Sequence, residues 1–540
     1  MPLMGSLYVG NSGLTTAQNA LNTTAHNMSN VDTDAYTRQQ IQLTNSAYNT
    51  VSKSNCATSY LQLGLGVTYS QTRQVRDYFL DLNYRRESGR SSFYDNSVNT
   101  MDEMEDVLGE SSNGQSYSES ISNLWTSIQE LDKNPTLQTN QNLFVTRCYE
   151  FVTNASAVYS SLCDYQTNMN TIVKTDTDQI NSYAQQLESL NNQIVKIEAG
   201  GFEHANDLRD QRNSILDELG GLADISWKEN DDGYVSVQLE GTDLVKGGVI
   251  NEIGLYQDEQ TGFYTPYWKS EAEYQTNIDG SKEVIPSSAM EAQVFDLTRT
   301  VSSDLNTDIG GLKSVLLARG DHNATYTDLD DTDGHYNNDI AQSIVMNTEA
   351  EFDQLVHSIT STINDILKDA AETATAANPD STYMRDSSGN ILQMFSEISS
   401  GVGLTSSNIE INGSLRSTPS LLGFTTDDGE EDNTTTTALK SAFEDKSYTL
   451  NPNVATKVSF TGYYQALISQ VSNSGEVYKA IQSSQTKMLS SISDAREQIV
   501  GVSSDEEMSN MVMYQNAYNA ASRYINVVNT MLGDLLDKLS

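Results

Sequence analysis

The chain has 540 residues, with 73 acidic and 31 basic side chains and a formal net charge of −42. This charge, without any Lys/Arg-rich block, argues against nucleic acid and anionic membrane surfaces as partners. No stretch approaches the roughly 18 to 20 apolar residues of a membrane helix, and the N-terminus lacks the basic start and apolar core of a general secretory signal.

The first predicted helix carries a narrow heptad seam in which large and small side chains alternate. Its members are Leu7, Gly10, Leu14, Ala17, Leu21, Thr24 and Met28. Helices that pack on a globular core usually have a wider apolar stripe, so the seam favours pairing with another helix. An ordinary helix on a globular core is the alternative.

Further helices are predicted near 77 to 108, 116 to 133 and 137 to 165. A second heptad seam follows, made of Ile180, Tyr183, Leu187, Leu190, Ile194 and Ile197. Gly200 and Gly201 end it, and a shorter helix is expected from about Ala205 to Leu219. Cys148 and Cys163 would lie about 22 Å apart on one helix, too far for a disulfide, and with Cys56 they show no metal-type spacing.

The pattern changes at about Ala223. Alternating apolar residues around Asp231-Asp232-Gly233 predict a β-hairpin, and a second, aromatic hairpin is expected to turn at Thr261-Gly262. Residues 287 to 377 are predicted to be helical with a polar interruption, and 378 to 455 mixed. The middle of the chain is therefore predicted to be an α+β insertion.

The C-terminal part returns to heptad seams. One contains Leu467, Val471, Tyr478, Ile481, Met488, Ile492, Ala495 and Ile499. After a helix start at Ser503 to Glu506, the last seam contains Met511, Tyr514, Tyr518, Ala521, Ile525, Val528, Leu532, Leu535 and Leu539. An isolated helix of this kind is marginal in water, so we expect the first and last helices to pair.

The predicted fold class is mainly α with an α+β insertion. It is an elongated coiled-coil or helical bundle formed by the N- and C-terminal arms, with an outward β-rich inserted domain.

Motifs for catalysis are missing from the sequence. The five histidines, at positions 26, 204, 322, 335 and 357, form no His-Glu-x-x-His pattern, and there is no nucleophile elbow, Walker loop or dinucleotide fingerprint. The stretch from Asp328 to Gly334 lacks the carboxylates that a calcium loop needs at its first and twelfth positions. We therefore expect no enzymatic activity, no catalytic residues, no cofactor and no metal.

The segment from Ala25 to Gln39 resembles the N-terminal signature of flagellar rod, hook and hook-associated proteins, usually written A-x-N-x-A-N-x-x-T-x-G-Y. Asn27, Asn30, Thr33 and Tyr36 match it. Ser29 replaces the usual Ala and Ala35 the usual Gly, which predicts a differently built turn after the first helix. The D-E-E and Y-Q-x-A-Y ending from Asp505 is likewise similar to that of hook-type axial proteins.

Other segments resemble one branch of these axial proteins, the hook-associated protein 1 family of first hook–filament junction proteins. The segment 206 to 212 is similar to that family's N-D-L-x-D-Q-R motif, with matches at Asn206, Asp207, Leu208, Asp210, Gln211 and Arg212. Gly310 to Asp321 is similar to its G-x-L-x-x-L-L-x-x-R-D element.

The resemblance implies a structural subunit of the hook–filament junction, required for filament assembly on the hook. It implies export by the flagellar type III apparatus without a cleaved signal peptide, and an extracellular location in the flagellum. The implied partners are identical subunits in a ring, hook protein, the second junction protein, the export apparatus and an export chaperone at the C-terminal helix. Nucleic acid binding and membrane insertion are not implied.

The resemblance also implies a division into three parts. Residues 1 to 30 with 505 to 540 would form the inner tube, and residues 31 to 222 with 456 to 504 the helical bundle. Residues 223 to 455 would form the outer domain, as one or two subdomains.

Three other functions stay open on the sequence alone. One is a sibling axial protein, either hook protein or the second junction protein. Another is a secreted adhesin whose inserted domain binds glycans on Tyr264, Tyr267 and Trp268, although these side chains are also suited to a hairpin core. The third is an enzyme carried by the insertion, for which the sequence offers no catalytic constellation.

Overall fold

The computed structural model describes residues 2–46, 49–53, 60–109, 116–201, 203–277, 281–386 and 388–539. Helices account for 61% of the chain. They are α1 Pro2–Ser29, α2 Tyr78–Leu108, α3 Tyr117–Lys133, α4 Gln138–Glu198, α5 Asn206–Leu222, α6 Pro286–Glu291, α7 Gly311–Arg319, α8 Ile344–Ala377, α9 Gly413–Ser417, α10 Asn433–Glu444, α11 Phe460–Val500 and α12 Ser504–Leu539.

The strands are short and pair antiparallel. They are β1 Gln39–Asn45, β2 Asn49–Lys53, β3 Tyr60–Leu63, β4 Val67–Gln74, β5 Ile225–Glu229, β6 Val235–Leu239, β7 Thr242–Lys246, β8 Val249–Ile250, β9 Ile253–Gln257, β10 Tyr264–Trp268, β11 Tyr274–Thr276, β12 Lys282–Val284, β13 Phe395–Glu397 and β14 Ile409–Ile411. The prediction of a mainly α chain with paired terminal helices and small sheets in its middle is confirmed.

Two compact units make up the chain. Unit 1 comprises Met1–Gly89, Gln179–Glu252 and Gln485–Ser540, and unit 2 comprises Arg90–Asp178 and Ile253–Ser484. In unit 1, α1 packs on α12, β1 pairs with β4, and β5 to β8 form a four-stranded sheet in sequence order. The sequence assigned this sheet to the inserted part. Its Tyr234 hydroxyl instead donates a hydrogen bond to Glu188 of α4, 2.5 Å away, within unit 1. The three-part division itself stays a prediction.

Unit 2 is centred on α8, whose apolar face is fully buried along most of the helix. Aromatic rings from three other helices pack around Phe352 of α8 or against each other: Tyr117, Phe151 and Tyr464, with centroid separations of 4.9 to 6.4 Å. Trp125 of α3 stacks on Phe443 of α10 at 5.8 Å. These contacts supply the large apolar burial that stabilises the unit.

Helix α4 is a single helix of 61 residues, longer than the sequence predicted. The predicted helix 137 to 165 and the seam from Ile180 to Ile197 lie on it as one element. The polar stretch between them contains neither Gly nor Pro, so nothing interrupts the backbone hydrogen-bond ladder. The helix ends at Glu198, before Gly201 with φ +68°, as the two glycines predicted.

The expectation of helix from Ser287 onwards is wrong for residues 292–310, which are irregular apart from an isolated β-bridge at Gln293. Side chains there satisfy the backbone in place of a helix. Thr307 Oγ1 donates to Thr300 O at 2.7 Å and accepts from Ser302 N at 2.8 Å, and Asp296 accepts from the Thr298 N–H. Such local bonds compete with helix formation. Both predicted hairpin turns are present, with positive φ at Gly233 and Gly262.

Of the three cysteines, Cys56 lies outside the described residues. Cys148 and Cys163 are both free thiols, as their predicted separation on one helix required. Among the residues that the structure describes, no helix is long and apolar enough to span a membrane.

Candidate functional site

The first and last helices pack against each other with the predicted seams facing inward. In α1 the small seam members are buried and the large ones half-buried: Gly10, Ala17 and Thr24 form the first group, and Leu7, Leu14, Leu21 and Met28 the second. In α12 the half-buried members are Met511, Tyr514, Tyr518, Ala521, Ile525 and Leu532. Val528 is 3% exposed and Leu535 45% exposed, and the side chain of Leu539 lies outside the described residues.

Two glycines of α1 face α12, and one of them lets α12 approach closely. A Cβ atom added at Gly10 would lie 2.7 Å from Cγ1 of Ile525, closer than real side chains tolerate. A Cβ atom added at Gly13 would lie 3.6 Å from Cβ of Ala521, an ordinary contact. Gly10 is therefore required by the packing, whereas Gly13 is not.

We expect Gly10→Ala and Gly13→Ala to differ by about 1 to 3 kcal/mol in the stability of the helix pair, the usual cost of overpacking. Both changes gain about 1 kcal/mol of helix propensity, so Gly13→Ala serves as the matched control. Amide-exchange protection of α12 measures the effect. Equal protection in the two variants would contradict the close approach at Gly10.

The axial motif closes the end of α1. The side chain of Asn27 donates to Gln39 O at 2.9 Å and accepts from Gln39 N at 3.0 Å and from the Tyr36 hydroxyl at 2.8 Å. Asn30 Nδ2 donates to His26 O at 2.9 Å, and its Oδ1 accepts from Thr33 Oγ1 at 3.2 Å. The four matching residues thus fix the turn that leads from α1 to β1.

Ala35 has φ +60°, the left-handed conformation that glycine adopts without strain. The usual Gly of the axial motif stands at this position. The turn therefore has a conformation suited to glycine but is built with alanine. For a residue with a Cβ atom this costs about 1 to 2 kcal/mol.

We expect Ala35→Gly to stabilise unit 1 by up to about 1 kcal/mol, since relief of strain exceeds the added chain entropy of glycine. Ala25→Gly, at an exposed position inside α1, is the control and is expected to cost about 1 kcal/mol. Urea unfolding measures both. A loss of stability in Ala35→Gly comparable to that of Ala25→Gly would refute the strain.

The second motif, residues 206 to 212, forms the first turns of α5. Asn206, Asp210 and Arg212 are buried, Leu208 is half-buried, and Asp207 and Gln211 are exposed. Arg212 Nη1 donates to Asn191 Oδ1 at 3.2 Å and to Gly233 O at 2.7 Å, so it links α5 to α4 and to the β5–β6 turn. Burial lowers the pKa of Arg212, and Glu229 opposes that effect.

The two motifs lie side by side in unit 1. Gln74 of β4 donates to Asn206 O at 2.9 Å and to Asp210 Oδ1 at 2.7 Å, and Asn206 Nδ2 donates to Thr72 O at 3.2 Å. His26 Nε2 lies 3.5 Å from Asp207 Oδ1. A cavity of 610 Å³ is lined by residues of both motifs together with α4. Burial raises the pKa of Asp210 to about 6.

The axial motif also contacts the C-terminal region. Arg38 N donates to Val500 O at 2.8 Å, and Arg38 Nη1 donates to Glu506 Oε2 at 3.0 Å. Both contacts lie at the junction of α11 and α12. The segment after α1 therefore joins the beginning and the end of the chain within unit 1.

A charge network that the sequence analysis did not predict holds α2, α5 and α11 together. Asp81 pairs with Arg76 at 2.9 Å and with Arg496 at 2.9 Å, and Asp217 pairs with Arg496 at 2.6 Å and with Arg85 at 2.6 Å. No local sequence pattern indicates the pairs of Arg496 with Asp81 and Asp217, or of Arg85 with Asp217, because these partners are far apart in sequence.

The profile described as "Flagellar hook-associated protein FlgK helical domain" matches residues 101–380, more than half of the chain. The chain belongs to the flagellar hook-associated protein FlgK family. Its ends match two further profiles, "Flagella basal body rod protein" over residues 7–37 and "Flagellar basal body rod FlgEFG protein C-terminal" over residues 496–538.

Relatives within the FlgK family match along nearly their whole length. Flagellar hook-associated protein 1 of Bacillus subtilis is 25% identical, over 97% of this chain and 96% of that protein. The Salmonella typhimurium protein of the same name is 24% identical, over 97% and 98%. The structure of the flagellar hook junction protein FlgK from Burkholderia pseudomallei shares the fold, with a TM-score of 0.53 and 12% identity, over 78% of this chain and all of that one.

Membership in the FlgK family decides among the sibling axial proteins in favour of hook-associated protein 1. The adhesin alternative loses its proposed aromatic surface, because Tyr267 and Trp268 are 6% and 2% exposed and fill the hairpin core. Only Tyr264 is half-buried, with Lys174 Nζ lying 5.9 Å from its ring centroid. FlgK is a structural family, and the absence of enzymatic activity stays a prediction.

Three fully buried carboxylates lie on α8, within the part that matches the FlgK helical domain. Glu349 accepts from Ala324 N at 2.9 Å, and Asp353 accepts from Tyr326 N at 2.9 Å and Ser406 N at 2.5 Å. Glu351 accepts only from side-chain amides, those of Asn347, Asn451 and Gln470. Glu349 and Asp353 thus attach the stretch Ala324 to Tyr326 to α8, Asp353 also binds Ser406, and Glu351 binds Asn451 and, in α11, Gln470.

Burial raises the pKa of Glu349 to about 8, although the hydrogen bond from the Ala324 N–H acts to lower it. Because the folded value exceeds the unfolded one of 4.5, this group makes unit 2 less stable as pH rises from 4.5 to about 8.

We expect Glu349→Gln to flatten this pH dependence and to raise stability at pH 9 by about 2 kcal/mol or more, since each pKa unit corresponds to about 1.4 kcal/mol. Glu351→Gln is the matched comparison and is expected to destabilise, because either orientation of the new amide places its NH₂ group against at least one amide donor. Urea unfolding at pH 5, 7 and 9, followed by tryptophan fluorescence, measures both. An unchanged pH profile in Glu349→Gln would contradict the raised pKa.

Proposed function

We propose that this chain is a structural subunit of the flagellar hook–filament junction and is needed to build the filament on the hook. Family membership supports the role, and one observation on this chain carries it. The paired terminal helices keep large apolar side chains on their outer faces, each 52 to 69% exposed: Met4, Tyr8, Val512, Met513, Val527, Met531 and Leu536.

This exposed apolar face is suited to burial against other subunits. Contiguous exposed apolar surface usually marks a protein interface. The residues lie on both helices of the pair, so one folded pair offers apolar side chains on more than one side. We propose identical subunits in a ring, hook protein and the second junction protein as the partners that cover them.

The predicted seam residues and motifs have different roles in this proposal. The seam residues hold the helix pair together, whereas the outer apolar residues contact neighbouring subunits. The axial motif residues Asn27, Asn30, Thr33 and Tyr36 fix the helix pair to the rest of unit 1. Asn206, Asp210 and Arg212 in turn fix α5 to the neighbouring elements of unit 1.

The route to the assembly is part of the proposal. We propose export through the flagellar type III apparatus without a cleaved signal peptide, with a chaperone holding the C-terminal helix beforehand, and an extracellular location in the flagellum. The 66% exposed Leu536 and 53% exposed Met531 of α12 are apolar surface that such a chaperone would cover. The three-part division into inner tube, helical bundle and inserted domain is proposed with it.

Gene deletion in the host tests the role, followed by complementation. We expect deletion to give hooks without filaments and flagellin in the medium, and the wild-type gene to restore filaments. The double variant Val527→Asp/Met531→Asp is expected to fail. The control Asn529→Asp/Thr530→Asp adds the same charge to exposed polar positions of α12 and is expected to complement.

Intact filaments in the deletion strain would refute the junction role. Complementation by Val527→Asp/Met531→Asp as good as that of the control would refute the outer apolar face as the interface. Circular dichroism of the purified variants, expected to match the wild type, separates loss of assembly from loss of folding.

A further inference from the structure

The segment between α7 and α8 contains five side chains in which acid and base alternate. His322 Nδ1 lies 2.7 Å from Asp321 Oδ1, and His322 Nε2 lies 3.4 Å from Asp328 Oδ2. His335 Nε2 lies 3.8 Å from Asp328 Oδ1, and His335 Nδ1 lies 2.9 Å from Asp339 Oδ2. Both histidines thus point one ring nitrogen at Asp328 and the other at an outer carboxylate.

Asp328 is the centre of this arrangement. It is also the third residue of a capping box, in which its Oδ2 accepts from Thr325 N at 2.7 Å. Its side chain is 16% exposed, compared with 79% and 55% for the outer Asp321 and Asp339. This largely buried carboxylate therefore contacts His322, Thr325 and His335, which lie in three parts of the segment.

Regular structure contributes little to this segment. It contains two 3₁₀ turns, Tyr326–Leu329 and Thr332–Gly334, and one π turn, Tyr336–Ile340. Its Ala324, Leu329, Tyr336 and Ile340 form a small apolar cluster with Met346 and Ala350 of α8. Glu349 and Asp353 of α8 hold its first part through the backbone N–H groups of Ala324 and Tyr326. Beyond Asp328, the chain is held by the histidine contacts and by two further hydrogen bonds, from the Tyr336 hydroxyl to Asn347 Oδ1 at 2.8 Å and from Asn453 Nδ2 to Asn337 Oδ1 at 2.8 Å.

Other charged groups lie around the five side chains. Glu349 on α8 acts on His322, Asp330 interacts with His335, and Arg319 at the end of α7 and Asp258 after β9 interact with Asp321. Apart from the two histidines, these neighbours include three carboxylates and one guanidinium. Loss of positive charge from a histidine therefore leaves several carboxylates close together.

We propose that Asp321, His322, Asp328, His335 and Asp339 form a pH-dependent clasp, which holds segment 321–340 against Met346 and Ala350 of α8 and releases it when His322 loses its proton. The clasp is a property of unit 2 and does not depend on the function proposed above.

The pKa values of His322, Asp321 and Asp328 determine the direction of the pH effect. Hydrogen bonds to Asp321 and Asp328 raise the pKa of His322 to about 10, from an ordinary value of 6.5, although burial opposes them. The contribution of His322 to stability is therefore complete below pH 6.5 and is lost as pH rises through about 10. Burial acts to raise the pKa of Asp328. The hydrogen bond from His322 nevertheless keeps the pKa values of both Asp321 and Asp328 below their usual range. Their contribution is lost only in acid.

Amide exchange of the full-length protein tests the clasp, with protection factors measured at pH 6, 7.5 and 9 in buffer containing EDTA. Peptides from 321–340 report on the clasp, and peptides from the middle of α8 report on the core of unit 2. In the wild type we expect protection of 321–340 to fall at least tenfold from pH 6 to pH 9. Solvent screening at the half-buried histidines makes this fall smaller than the pKa shift of His322 alone would give.

Two variants complete the design. His322→Gln is expected to be poorly protected in 321–340 at every pH, without the tenfold fall, while α8 stays protected. His204→Gln, a histidine of unit 1, is the matched control and is expected to keep the wild-type profile. If His322→Gln also loses protection in α8, the pH profile of a Glu349→Gln variant decides instead, because that change removes the other group with a raised pKa that bonds to the segment.

A wild-type profile that is flat between pH 6 and 9 would overturn the clasp. So would a His322→Gln variant that retains both the wild-type protection and its fall with pH.

Discussion

The helix that begins the chain packs on the helix that ends it, and the arrangement of unit 1 depends on this pairing. Closing an unstructured connection as long as that from Asn30 to Ser503 would cost about 5 kcal/mol. The intervening residues reduce this cost because they fold. The contacts of Arg38 with Val500 and Glu506 show how the two ends are joined within unit 1.

Small residues make the pairing possible, and polar residues fix its position. Gly10 lets Ile525 approach α1, which a larger side chain would prevent. Asn27 then satisfies three hydrogen bonds at the end of α1, so the next segment leaves in one direction. The polar residues of the two motifs therefore act on the backbone and on each other. They leave the outer apolar residues of the helix pair available to other proteins.

Much of this could be predicted from the sequence, because heptad periodicity is a local signal. The pairing of α1 with α12, the start of α12 near Ser503 and both hairpin turns follow from residues close together in sequence. The full length of α4 was missed, because its polar middle hides the continuity of the helix. The irregular stretch 292–310 was missed because Thr307 and Asp296 satisfy the backbone through side chains.

Contacts between distant residues could not be predicted in this way. The meeting of Asp207 with His26, the network around Arg496 and the approach of His322 and His335 to Asp328 require knowledge of the tertiary fold. No spacing rule relates His322 and His335 to Asp328. The motifs were recognisable one by one, but their contact was not.

The uninterrupted helix α4 has a consequence for the order of folding. Its hydrogen bonds are local, so it can form within microseconds once nucleated, whereas pairing of α1 with α12 joins the most distant parts of the sequence. Contacts of high sequence separation form slowly because chain entropy is lost before they are made. The two ends would then be the last part of a newly folding molecule to find each other, and both would still be free while the middle of the chain is already helical.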